Sequence, residues 1–324
     1  MSAIAVVLMP LLVPTRAPTT PLASFACAWR LAGQIHARNA WPSRLTKRVG
    51  RAFTAMFQHA AFTAWVSFLL RPENAPFARN NPMLWHRTLL GYVSTRWDGR
   101  KTLRVLTDSY RFAQNRPGPM LAALLSRREQ PIAAAELGED KGRILISLVS
   151  DNRFRREGEW TVRIRWDQAS GVLCSIAFSL EEAEGGWIAY VGALQGGSGG
   201  NEEAIKAATK AFHGVRPKAM AIFALQEVVS TLGAARLLAA GNAIQMSNAK
   251  HLIHVPWNRI SFNYDGMWAE AGGQAAEQGW FELPLRETRR TREEIKANKR
   301  PLYVRRYELF DVLREAIGKG LASR

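Results

Sequence analysis

The sequence predicts an α+β fold in which a basic helical region precedes an antiparallel β-meander with packed helices. Three observations carry this reading. Apolar residues recur at helical spacing as far as residue 128, the period falls to two across four short runs between 142 and 194, and helical spacing returns after Leu194. The chain has 324 residues, of which 47% are hydrophobic and 22% charged, enough apolar material for one large core or two modest ones.

Taken in order, residues 1–40 read as an accessory segment. The apolar run "AIAVVLMPLLV" (3–13) lacks the basic flank of a secretory leader, is interrupted by Pro10, and is shorter than the roughly 20 residues a membrane span needs. Residues 41–130 form the basic helical region. Val49, Phe53, Phe57, Phe62 and Val66 recur every four or five residues, and Leu89, Tyr92, Leu103, Leu106 and Tyr110 continue the pattern after a helix start at Asn81-Pro82. Residues 131–285 form the core domain. Its strands are "GRILISLV" (142–149), "TVRIRW" (161–166), "LCSIAFSL" (173–180) and "WIAYVGAL" (187–194), and the short connections between them join antiparallel neighbours. Two helical stretches, "NEEAIKAATKAF" and "RPKAMAIFALQEVVSTLGAA", precede a strand-like "RLLAAGNAIQM". Residues 286–324 supply C-terminal helices with a capping-box start from Thr291 to Glu294, and Pro301 breaks or kinks the run near Arg300.

Charge is unevenly placed. Residues 1–130 hold 18 Lys and Arg against 4 Asp and Glu, whereas residues 131–324 hold 26 against 23. Such a basic half attracts phosphate-rich partners, so peripheral contact with an anionic inner membrane stays open alongside a cytoplasmic location. Nucleic acid fits the charge, but no recognition-helix or zinc-finger signature accompanies it. Two distant cysteines, Cys27 and Cys174, make neither a disulfide framework nor a zinc site, and no metal is expected.

Four segments carry candidate chemistry. In "HGVRPKAM" (213–220), Gly214 suits the C′ position ending one helix and Pro217 the first turn of the next. The amides of that helix start, with Arg216 and Lys218, would hold a phosphate or carboxylate; the same residues also make an ordinary connector, and the sequence leaves both open. "LQGGSGGN" (194–201) follows a strand and precedes a helix, and matches G-x-S-x-G through Ser198, although so many glycines fit many patterns. A phosphate-accommodating turn at Gln195 and Gly196 is the expectation there. "SNAKHLIH" (247–254) gathers Asn248, Lys250, His251 and His254 without a third metal ligand. His251 or His213 would serve as a base, with Asp265 of "FNYDGMWAEAGG" orienting the ring. Asp265 equally suits a helix cap.

Together, "VGALQGG", "AATKAFHGVRPK", "AIQMSNAKH", "FNYDGMWAEAGG", "WFELPL" and "REEIKANKRPLYVRRYELFD" resemble the bacterial VirK/YbjX family in order and spacing. The likeness covers roughly residues 80–315. Ser198 lies outside its motifs, and Pro301 stands where a small residue is more typical. The resemblance implies a bacterial protein of virulence, the cell envelope and antimicrobial-peptide tolerance, with no settled reaction. The order of meander, glycine-bearing turn, helix with a basic start and strand is also that of GNAT-type N-acyltransferases, an analogy of layout alone. It implies an acyl-CoA or acyl carrier protein as donor, an anionic ligand gripped by Gly214, Arg216, Lys218 and Asn248, and an envelope component or peptide as acceptor.

Overall fold

The computed structural model describes residues 13–197, 202–246 and 262–323. The chain divides into two units, one comprising residues 1–90 with 98–103 and the other residues 91–97 with 104–324.

The first unit is helical. Thr20 opens α1 (Pro21–Ile35) by accepting the Ala23 amide at 3.1 Å, with Pro21 in the first turn, where its missing N–H leaves nothing unsatisfied. Then come α2 (Trp41–Phe57), α3 (His59–Leu70), α4 (Ala75–Asn80) and a 3-10 helix over Pro82–Leu89. The core gathers Phe62, Trp65, Leu69, Phe77, Leu84 and Trp85, and the Trp65 indole donates to the Leu84 carbonyl at 2.7 Å. Helical spacing continues from Pro82 to Tyr110, but the helix itself is interrupted. Val93 adopts φ +56, which a helix does not accept, and regular α-helix resumes only at α5 (Gly99–Asn115).

The second unit is built on an eight-stranded sheet ordered β1-β2-β3-β4-β5-β6-β8-β7. Strands β2 (Arg143–Val149), β3 (Trp160–Trp166), β4 (Cys174–Ala183) and β5 (Gly186–Gly196) form the expected antiparallel meander, and β1 (Gln130–Glu136), which the sequence reading did not include, adds a further antiparallel strand beside β2. Ile146, Ile164, Val162 and Ile176 face one another across it and are fully buried, which is what the period of two demands. The chain then crosses over through α7 (Glu202–Ala211) and α8 (Pro217–Thr231) to β6 (Ala234–Ala240), which lies parallel to β5. A crossover of this length is what a parallel pair requires. After α9 (Tyr264–Glu270), β7 (Gln274–Ala275) and β8 (Trp280–Leu283) complete the far edge.

Helix α8 packs on β3 to β6 and buries nearly every side chain from Met220 to Val229. Its outer side meets α10 (Arg300–Ala322), where Phe223 stacks on Phe310 at 4.1 Å and Arg314 pairs with the buried Glu227 at 3.0 Å. Helix α6 (Pro119–Ser126) covers β1 to β3, and the Trp160 indole donates to the Met120 carbonyl. Pro301 sits in the first turn of α10 and starts it. The Glu294 carboxylate does accept the Thr291 amide at 2.7 Å, yet only turns and one 3-10 stretch separate it from Arg300. Among the described residues, no single helix is long and apolar enough to cross a membrane.

Candidate functional site

The parallel pair forms a fork. Pairing of β5 with β6 runs from Trp187–Ala234 to Val191–Ala239 and stops there, while β5 continues to Gly196, still held by β4. Two glycines make this extension possible. Gly192 is the extra residue of a bulge between the Ala177–Ala193 and Phe178–Val191 pairs, and a Cβ there would enter the Glu157 backbone. At Gly197 a Cβ would collide with the Val172 carbonyl. The loop bearing Glu157 is anchored by Glu159, whose buried carboxylate accepts from Tyr92 at 3.0 Å and from Tyr110 at 2.8 Å.

The other arm of the fork is pinned at the end of β6. The Ala240 carbonyl accepts from the Trp268 indole at 2.9 Å and from Gln245 at 3.1 Å. Asp265 accepts the Asn242 amide at 2.7 Å, and Asn263 accepts the Gly266 amide as the cap of α9. Asp265 therefore fixes a 3-10 turn, Asn242–Ile244, that ends this arm. Tyr264 spans the gap: its amide donates to the Asn242 side chain at 2.9 Å and its hydroxyl to the Leu194 carbonyl of β5 at 3.3 Å.

Lys218 lies at this opening. It is half-buried in the first turn of α8, and its Nζ stands 3.7 Å over the Phe262 ring, which in turn meets Tyr264 edge-on at 4.8 Å. Burial holds the ammonium below its usual range, and no carboxylate pairs with it among the described residues. Burial pushes Cys174 up to about 12, so it is a thiol, and it donates to the Gln195 carbonyl at 3.3 Å. Tyr264 is likewise pushed up to about 12 by burial and stays a phenol. Arg216 is the N-cap of α8, exposed, and makes no side-chain cap bond.

His213 occupies a different setting. The sequence places Gly214 at C′, but the structure puts His213 there, left-handed at φ +51, with Gly214 one residue on donating to the Thr209 carbonyl at 2.8 Å. The His213 carbonyl accepts from Arg306 at 3.2 Å. Burial, then Lys141 and Arg305, hold the imidazole below its usual range, so it is neutral near pH 7. These charges belong to the β1–β2 hairpin and α10 rather than to the fork. The structure thus gathers Gln195, Gly196 and Lys218 with Cys174, Phe262 and Tyr264, and sets His213 apart. Ser198, Asn248, His251 and His254 lie outside the described residues, as do 198–201 and 247–261 generally. Among the described residues, no cluster of His, Cys, Asp or Glu suits a metal ion. Sequence reading missed Phe262 and Tyr264 as neighbours of Lys218; the aromatic cluster before α9 was the available signal.

A family model described as "Protein of unknown function (DUF535)" matches residues 42–319. The chain belongs to the DUF535 family. An uncharacterized protein from Haemophilus influenzae is 29% identical over 229 residues, covering 69% of this chain and 72% of its own. The uncharacterized protein YbjX of Escherichia coli is 28% identical over 201 residues, covering 61% of this chain and 56% of YbjX. A second Haemophilus influenzae protein, also uncharacterized, is 28% identical over 60% of this chain and 62% of its own. The chain therefore spans less than two thirds of the length of the latter two relatives. No solved structure matches the chain.

Proposed function

We propose that this DUF535 protein binds a phosphate-bearing acyl donor, acyl-CoA or an acyl carrier's phosphopantetheine, at the β5–β6 fork and transfers the acyl group to an amine or hydroxyl of an envelope component or peptide. The observation that carries this is Lys218, desolvated at the mouth of a parted parallel pair and unmatched by any described carboxylate. A phosphate there would gain Lys218, Arg216 and the first amides of α8. An extended, amide-bearing arm would lie against the β5 edge past Val191 as an added strand does. In the transfer the thioester C–S bond breaks as an amide or ester bond forms, the acceptor proton passes to a base, and the thiol leaves. His251 is the proposed base, with His213 the alternative although its ring lies away from the fork, and the GNAT layout is the analogy behind the reaction type.

The test is thermal unfolding with coenzyme A and acyl-CoA. At about 100 times its Kd such a ligand stabilises by about 2.7 kcal/mol, and Arg216→Ala with Lys218→Ala abolishes the rise. No shift with coenzyme A, acyl-CoA or an acylated carrier protein overturns the reading. A second reading, that the chain works at an anionic membrane surface, is favoured by the charge of the first unit: 12 Lys and Arg against Glu73 and Asp98.

A further inference from the structure

Helix α2 is built inside out. The side chains it buries are the small Ala52 and Ala55, while Trp41, Val49, Phe53 and Phe57 face outward. Phe57 is 80% exposed, Trp41 65% and Phe53 47%. With half-buried Leu45 these residues recur every four positions from 41 to 57, a row that winds through an arc of about 160° round the helix over about 24 Å at 1.5 Å per residue. Helix α1 extends the apolar surface. Phe25 meets Phe53 edge-on at 5.3 Å, and Leu22 is 75% exposed. Scattered surface apolar residues need no explanation, whereas a contiguous aromatic stripe marks an interaction site.

Charge identifies the occupant. From Pro21 to Phe57 the chain carries Arg30, Arg38, Arg44, Lys47, Arg48 and Arg51 and no Asp or Glu. Arg48 lies over the Trp29 ring at 4.3 Å, which keeps its cation beside the apolar surface. A second copy of the same face would bring like charges together. Aromatic and aliphatic side chains on one side of a helix rich in Lys and Arg are the chemistry of a helix lying in the headgroup region of an anionic bilayer. Helices α2 and α3 meet at 101°, so the pair turns rather than continuing as one straight span.

We propose that the α1–α2 hairpin docks the protein on an anionic membrane, seating Leu22, Trp41, Phe53 and Phe57 among the headgroups with Arg30, Arg38, Arg44 and Lys47 reaching lipid phosphates, while Arg48 and Arg51 are held inward against Trp29 and the Leu89 carbonyl. The proposal rests on the second reading above and names the surface and lipid chemistry it uses.

The experiment is co-sedimentation of the full chain with vesicles of phosphatidylglycerol and phosphatidylcholine in roughly equal parts, and with phosphatidylcholine alone. The expected result is binding to the anionic vesicles only, reduced at least about tenfold by Phe53→Ser with Phe57→Ser. Leu22→Ser, on the neighbouring helix, lowers it less, and circular dichroism melting checks that each variant is folded. Salt-sensitive binding that the double variant retains overturns the docking face while leaving the second reading standing. Absence of binding to anionic vesicles overturns both. A wild-type dimer in solution that the double variant dissociates assigns the face to a second copy and also overturns the proposal.

Discussion

Helices α2 and α8 have similar beginnings and opposite fates. Each starts with a proline in its first turn and no side-chain cap, yet α8 buries eleven residues in the sheet and α10 while α2 buries two alanines. Phe223 of α8 is 2% exposed and stacked on Phe310, whereas Phe53 of α2 is 47% exposed. The same residue type is core in one helix and surface in the other because its partner is present in one and absent in the other. The cations of the sheet under α8 and of the segment bearing α2 differ in the same way. Arg163 and Arg165 of the sheet are matched by Glu129 and Asp151, while the segment bearing α2 has no carboxylate at all.

The sharpest way to break the comparison is to truncate both phenylalanines. Phe223→Ala should lose about 3–5 kcal/mol in urea unfolding, and Phe53→Ala about 0.5 kcal/mol or less. Equal losses would mean that α2 is packed as tightly as α8.

A smaller effect tests the paired charges. Burial alone would raise the Glu129 carboxyl, but hydrogen bonds from Arg165, Arg163 and Ser147 bring it from 4.5 down to about 2. A carboxyl depressed on folding contributes stability that is fully present above pH 4.5 and is lost as pH falls towards 2. Melting temperature followed across that window should fall less steeply in Glu129→Gln, whose starting stability is lower. An unchanged acid limb would remove this cluster from the account.

The smallest effect sharpens the start of α8. His213→Gly relieves a left-handed residue and should leave stability unchanged or raise it by up to about 1 kcal/mol. If the variant keeps its thermal response to acyl-CoA but loses acyl transfer, the ring is the base; if it keeps both, His213 is a helix cap.

Strands β2 to β5 were legible because β-branched and aromatic residues alternate there. The first strand was not: "QPIAAAE" holds Pro131 and three alanines, suits an edge, and gains its place from α10, whose Gly320 fits against the Ile132 carbonyl. Apolar spacing in 82–110 imitated one helix because local pattern does not report the left-handed turn at Val93. For the candidate site, Lys218 and the helix start were readable from Gly214 and Pro217. The company Lys218 keeps was not, since Cys174, Leu194 and Phe262 are brought to it only by the parallel crossover, from sequence distances that no motif encodes.

The bulge at Gly192 has a further consequence for how this lip can vary. One extra residue there places Leu194 opposite Ile176 and Gln195 opposite Ser175. Deleting Gly192 would remove the bulge and leave a regular ladder with the same partners, so β5 would lose its local bend while Leu194 and Gln195 kept their sides of the sheet. The direction in which β5 leaves its parallel neighbour is then set by one residue, with the buried body of the sheet left as it is.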